Sequence, residues 1–324
     1  MITFIVTTYN LEDYLLRRCL ESIVSQGLNR ADYEIIVVDD ESVISPQHVV
    51  DEYLHRADIC LYTQRHSRQG AARNLALSHA RGEWIEFVDG DDYLLSHTVK
   101  PCLAIAGEKN LDLLMFGFQE VTSLYAFRQR PFTTHQSPIM AGNEYMLNNN
   151  LFGCCWPLLF RRELLEDPIY GEPLRFAEHI YIEDEDFVTR LVWRAQRMVK
   201  LDTIVYAYYQ RSGSTIHNCS SEHTDELFRN YFVVLRRLID FEASIDKLPH
   251  EGVKRKISFF AIDILRRSLR DDNWEERWNQ SVHQLRALGL YPIRRAHYSW
   301  KYWLFRLLVR HVVGRKILRI VEMH

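Results

Sequence analysis

The chain of 324 residues is 47% hydrophobic and 26% charged, an ordinary globular composition long enough for one large domain or two smaller ones. Its net charge of −3 offers no general attraction to nucleic acid, and no nucleic-acid motif is present, so that class is set aside. Six cysteines without a CxxC spacing, several of them inside apolar patterns, suit reduced buried thiols in a cytosolic protein better than a disulfide framework or a zinc site.

In chain order, the opening MITFIVTTYN has no basic lead and an apolar run of only five residues, so it reads as a first strand over 2–6, not a signal peptide. Asn10 and Asp13 resemble a capping box ahead of the stripe Leu15, Leu16, Cys19, Leu20, Ile23 and Val24, which predicts a helix. EIIVV at 34–38 is a second buried strand, ending at Asp39-Asp40. A helix over about 46–57 precedes a third strand at 59–62, and a helix over 70–80, closed by Gly82, precedes a fourth at 84–88. Continuous apolar strands separated by helices imply a parallel sheet covered on both faces. Ligands bind such sheets at the carboxyl ends of the strands. There the chain places Thr7-Thr8-Tyr9, Asp39-Asp40 and Asp89-Gly90-Asp91-Asp92.

Further along, 111–118 predicts a strand, 124–138 a loop or hairpin, 143–151 and 157–165 helices, 184–196 an amphipathic helix and 199–209 a strand. From about 221 the pattern is helical and rich in Arg, Trp and Leu, which puts a boundary near 215–222. No run of about eighteen apolar residues occurs, so no membrane span is expected and the protein is expected in the cytoplasm.

Asp89, Asp91 and Asp92 repel one another unless a cation sits among them or water screens them. The plain reading is a solvated turn, or a cap with Asp92 or Ser96 starting the next helix. Asp39-Asp40 on a second strand and Glu183-Asp184 before a later helix favour a ligand instead. Hard oxygens are what Mg²⁺ or Mn²⁺ takes, usually one or two carboxylates completed by phosphate oxygens and water.

The strings VTTYN–x4–L–x3–CLESIVSQ, YEIIVVDDES, QGAARNLALSHARGEWIEFVDGDDYL and IEDEDF, in that order over about 1–215, resemble a family 2 glycosyltransferase of the GT-A fold. The resemblance implies an α/β, Rossmann-like, mostly parallel central sheet flanked by helices over 1–218, with a nucleotide-sugar half at about 1–110 and an acceptor half at about 111–218. A helical C-terminal extension would occupy 219–324. It further implies inverting transfer of a sugar from a nucleotide-diphosphate donor, a UDP-sugar favoured, with Mg²⁺ or Mn²⁺. The acceptor would be a hydroxyl of a glycan or lipid-linked acceptor in bacterial surface polysaccharide synthesis.

Carried over by position, Thr7 and Tyr9 would contact the nucleotide, and Asp39-Asp40 the base, with Asp40 the first choice. Arg73 would lie near the donor; its plainer role is balancing buried aspartates. Asp91 would be the metal ligand, and Asp89 would stand by the sugar or the metal's waters. Glu183-Asp184 matches the ED motif, with Asp184 as base; the plainer reading is charge favoured at a helix N-terminus. The EDED run leaves Asp186 as a rival, against which the buried-face residues Phe187, Leu191 and Val192 argue. Arg211, Ser214 and His217 would close over the diphosphate, with His217 a further metal ligand or simply a surface or core residue. Two departures touch donor recognition: Glu41 stands where the family often has Gly, and Arg68 where it has Asn.

Rival enzymes lack their signatures: no Gly-rich basic loop of a nucleotidyltransferase and no GxGxxG of a dinucleotide oxidoreductase follows the first strand. A catalytically silent relative, serving as a scaffold or partner of a glycan-assembly complex, would have lost the DxD or ED residues, and both are present. In the tail, 297–324 carries six Lys or Arg against one Glu, interleaved with Trp303, Leu307, Val313 and Ile317. That pattern leaves two readings open: peripheral contact with the inner face of the cell membrane, or packing on the protein or in a homodimer.

Overall fold

The computed structural model describes residues 1–122, 131–166, 173–211, 221–296 and 298–323, and the chain divides into two compact units. The first comprises 1–142 and 152–220, the second 143–151 and 221–324.

In the first unit β1 (Ile2–Thr8), β2 (Tyr33–Asp39), β3 (Asp58–Thr63) and β4 (Trp84–Asp89) lie parallel, connected by α1 (Asp13–Val24), α2 (Gln47–Asp51) and α3 (Arg68–His79). The register sets Thr7 beside Val38 and Asp89, and Thr8 beside Asp39, so the polar residues share one rim. β5 (Tyr93–Leu94), α4 (Val99–Glu108), β6 (Leu113–Val121), β7 (Leu158–Arg161), α6 (Glu183–Arg194) and β8 (Met198–Tyr209) complete the unit. A further helix, α5 (Gly142–Asn148), falls between β6 and β7 in the chain. The strand order is β3-β2-β1-β4-β7-β6-β8-β5, and β7 pairs antiparallel with both neighbours, so the sheet is mixed.

The helix expected over 157–165 is instead β7 followed by a single 3₁₀ turn. A short buried apolar run cannot be assigned by periodicity alone, and here the slot between β4 and β6 decides. The expected capping box is also absent. Asn10, at φ +46°, turns away to bind Ser42 and Val43, and Glu12 precedes α1 without a side-chain cap. The helix expected over 46–57 shrinks to α2.

An aromatic cluster seats α6. Phe176 and Phe187 stack at 3.8 Å, and Phe87 of β4 meets both edge-on. Stacking of this kind adds to ordinary burial and fixes orientation. It carries the acidic N-terminus of α6 to the rim where β4 ends.

The second unit contains α7 (Ser221–Ser244), α8 (Glu251–Arg270), α9 (Trp274–Ala287), α10 (Trp300–Leu308) and α11 (Val312–Met323). The stretch 143–151 belongs here because α8 satisfies its carbonyls: Arg255 donates to Met146, Asn149 and Asn150, and Lys256 to Leu151. A Cβ at Gly252 would stand 2.2 Å from the Asn143 carbonyl, so the close approach requires glycine. No helix among the described residues is long and apolar enough to cross a membrane.

Candidate functional site

Arg73, in the middle of α3, is buried to 1% exposure. Its guanidinium reaches three carboxylates from two distant parts of the chain: Nη2 donates to Asp89 at 2.9 Å, and Nη1 to Glu183 at 2.9 Å and Asp184 at 2.6 Å. Gln69, one turn earlier, donates to Asp89 at 2.6 Å and to the Thr7 hydroxyl at 3.2 Å. So Thr7, Asp89, Arg73, Glu183 and Asp184 form one cluster at the carboxyl ends of β1 and β4.

One cation cannot balance three partly or fully buried carboxylates, and the acidities respond. Burial pushes the Asp89 carboxyl up to about 6 against the pull of Arg73. Burial, then the Asp184 charge, pushes Glu183 up to about 8, again opposed by Arg73. Asp184 is raised by burial and held back by Arg73. A carboxylate with a raised pKa is a better proton acceptor, which is what a general base needs. Asp186, the rival base, is fully buried and pairs with Arg190 on its own helix.

The aim of Glu183-Asp184 is set by strain. Ile182, just before them, sits at φ +62°, a left-handed conformation that a β-branched residue enters only when its surroundings force it. Glu41 and Arg68, at φ +66° and +71°, are left-handed too. Those are the two positions where Gly and Asn would be at ease.

Tyr206 of β8 is a second organiser that the sequence did not single out. Its hydroxyl donates to Asp92 at 2.7 Å and accepts from the Asp89 amide at 3.0 Å, while the Tyr209 amide completes Asp92 at 2.7 Å. Asp92 is therefore a fully buried structural residue, its pKa raised well above normal by burial first. Asp91 faces the other way, accepting from Arg211 Nε at 2.8 Å, with its carbonyl held by Arg18 at 2.6 Å. Arg18 lies between the rings of Tyr93 and Tyr209, 4.6 and 4.5 Å from their centres.

Asp40 does not offer a free carboxylate. One oxygen accepts from Gln64 at 2.7 Å and the Ser67 amide at 2.9 Å, the other from the Arg68 amide at 2.9 Å, and the His66 ring lies 2.9 Å from that second oxygen. It anchors the first turn of α3, and its acceptor capacity is used there. Asp39 accepts from Ser42. Tyr9, half exposed, stacks on His66 at 4.6 Å and makes a flat aromatic shelf beside them. Ser214 and His217 lie outside the described residues.

No group of three or more His, Cys, Asp or Glu that could hold a metal occurs among the described residues. What the rim does offer is the oxygen set of Asp89 and Asp91, each about one-fifth to one-quarter exposed. Two carboxylates suit Mg²⁺ or Mn²⁺ only when phosphate oxygens and water complete the shell. The donor set fits a cation that arrives with a diphosphate.

A parallel half thus runs into a mixed sheet, with carboxylates gathered at one rim. The profile described as glycosyl transferase family 2 matches residues 3–167, and the chain belongs to that family. It is 28% identical over 229 residues to the uncharacterized glycosyltransferase EpsJ of Bacillus subtilis, covering 66% of this chain and 62% of that one. It is also 28% identical over 264 residues to the poly(ribitol-phosphate) beta-N-acetylglucosaminyltransferase TarS of Staphylococcus aureus, covering 79% and 44%. The matched part is thus about half to three-fifths of those relatives.

Among solved structures, residues 1–349 of TarS in complex with UDP-GlcNAc superpose with a TM-score of 0.69 at 22% identity, over 99% of this chain and 90% of that one. A Pyrobaculum calidifontis mannosyltransferase with GDP-Man and Mn²⁺ gives 0.55 at 15%, over 99% and 84%. These likenesses show the GT-A fold followed by C-terminal helices.

Proposed function

We propose that the protein is an inverting glycosyltransferase. It would move a sugar from a nucleoside-diphosphate donor to a hydroxyl of a glycan or lipid-linked acceptor during surface-polysaccharide assembly. The observation that carries this reading is the Arg73 hub, which joins Asp89 of the donor rim to Glu183-Asp184 of α6 in one buried cluster.

Asp184 takes the proton of the acceptor hydroxyl as that oxygen attacks the anomeric carbon. The bond from that carbon to the diphosphate oxygen breaks on the opposite face, and the nucleoside diphosphate leaves with the electron pair. One displacement inverts the configuration. Arg73 holds Asp184 in place and opposes the rise that burial imposes on its pKa, beside Glu183, whose raised pKa favours the neutral form near pH 7. Thr7, Tyr9 and Asp39 line the nucleotide side, with Asp40 shaping it through α3. Arg211 stands beside Asp91, ready to bond the diphosphate.

Asp91 and Asp89 would hold Mg²⁺ or Mn²⁺, which when bound offsets the charge of the leaving group. A UDP-sugar is favoured because TarS, the relative with N-acetylglucosaminyltransferase in its name, was solved with UDP-GlcNAc and with UDP. The test is calorimetric binding of UDP, GDP, CDP, dTDP and UDP-GlcNAc, with and without Mn²⁺. Metal-dependent binding of one diphosphate, lost in Asp91→Ala and kept in Asp184→Asn, is expected. No nucleotide binding under any metal condition would turn the assignment to the silent-scaffold reading.

A further inference from the structure

The C-terminal helices present apolar side chains on two opposite faces, and only one face is covered. In α10, Tyr302, Phe305 and the following Val309 point inward and are buried. On the opposite side Trp300, Trp303 and Leu307 are 69%, 58% and 43% exposed. In α11 the outward stripe is Val313, Ile317, Ile320 and Val321, exposed by 70%, 48%, 62% and 67%. A helix apolar on both sides belongs in a core or against lipid. Seven large apolar side chains on one stretch exceed the scattered exposure of an ordinary surface.

The connection between these helices also borders a cavity of about 360 Å³. His283, Arg286, Arg310 and Arg315 line it together with Trp278 and Tyr291, and no acidic residue does. Arg286 and Arg315 lie 5.4 Å over the Tyr291 and Trp278 rings. The Arg315 Nε is buried with no hydrogen-bond partner among the described residues. The guanidiniums of Arg286, Arg310 and Arg315 have no carboxylate partner among the described residues, and Glu322, the sole acid of 298–323, is taken up by Arg266 and Arg270. Guanidiniums without a carboxylate partner, gathered around a cavity of this size, have the chemistry to bind a phosphate.

We propose that the second unit carries an anionic-lipid site, in which the outer faces of α10 and α11 enter the headgroup region of a bilayer and the arginine-lined cavity takes a lipid phosphate. Charge selects this occupant over a second copy. A self-complementary dimer would bring the basic residues of two copies of 298–323 together with only the already paired Glu322 to offset them, whereas an anionic leaflet neutralises them. The two tryptophans match a headgroup interface, where an apolar ring with one polar N–H is well placed.

The test uses the full chain and vesicles of phosphatidylcholine alone or with one-third phosphatidylglycerol, read by co-sedimentation without donor or acceptor. Its outcome is therefore separate from that of the transferase reading. Binding is expected to the anionic vesicles only and to weaken with salt. Arg286→Gln with Arg310→Gln should weaken it about thirty-fold, and Ile317→Ser with Ile320→Ser should do so by a similar factor. All four side chains are exposed, and circular-dichroism melts control for folding. Equal binding to both vesicle types, or binding unchanged in both double variants, overturns the proposal. So does saturable binding of inorganic phosphate without vesicle binding, which would make the cavity a free-anion site. A dimer in sedimentation velocity that Ile317→Ser abolishes would assign the face to self-association instead.

Discussion

Glu86 is the residue whose replacement should most improve this protein. It sits in β4 between Phe4 and Leu159, on the face shared with Trp84 and Val88, and is fully buried. Neither carboxyl oxygen has a hydrogen-bond partner among the described residues. Burial alone pushes its pKa well above the ordinary 4.5. An acid whose folded-state pKa exceeds its unfolded value adds no penalty below the unfolded value. Its cost grows as pH rises from there until the folded value is passed.

Burial holds the folded-state pKa above the unfolded value, so the cost of keeping Glu86 inside grows as pH rises from about 4.5. Glu86→Met keeps the length, removes both orphan oxygens and adds apolar contact. The expected gain, from the orphan oxygens removed and the apolar contact added, is about 3 kcal/mol at pH 7.5 and smaller at pH 4.5. In a unit of this size that is a rise of about 6–12 °C in melting temperature at the higher pH. Paired urea and thermal melts of the two proteins at both pH values measure it. A variant less stable than the parent at pH 7.5, or a gap that does not change with pH, would refute the reasoning.

Asp184→Asn removes the proposed base and keeps the shape, so turnover should fall by about 10²–10⁴ while calorimetry shows donor binding intact. Arg73→Lys retains a charge but loses the fork that serves Asp89, Glu183 and Asp184 together; urea unfolding should show a loss of about 3 kcal/mol or more, and donor binding should weaken. Tyr206→Phe deprives Asp92 of its hydroxyl donor and the Asp89 amide of its acceptor; about 1–3 kcal/mol should be lost in a thermal melt, with weaker metal-dependent donor binding as a second sign.

The parallel half was legible because each of its signals is local. Continuous apolar strands ending in polar residues leave one topology, and the register then sets Thr7 beside Asp89 without further information. β7 was misread because LLFR carries no periodicity, and only the strands on either side decide its state. Asp40 was assigned from motif position, but its four partners come from residues 64–68, whose backbone turn no spacing foretells. Tyr206 was hidden in a run of tyrosines, since strand alternation marks it as inward-facing but not as the donor to Asp92. In the tail, periodicity fails for a physical reason: Phe305 serves the inner packing and Trp303 and Leu307 the outer face, so two stripes overlap on one helix.

The hub also bears on how the chain folds. Arg73 meets Glu183 across 110 residues and Asp184 across 111, and the guanidinium has almost no access to water. When β1–β4 and α3 first come together, that charge faces Asp89 alone, and α6 must dock before the other two bonds exist. The last closure therefore spans a loop of more than a hundred residues, and its entropy is recovered only once the Phe87, Phe176 and Phe187 rings lock. A fragment ending at residue 167 would keep every strand of the parallel half and still hold a buried cation short of two partners.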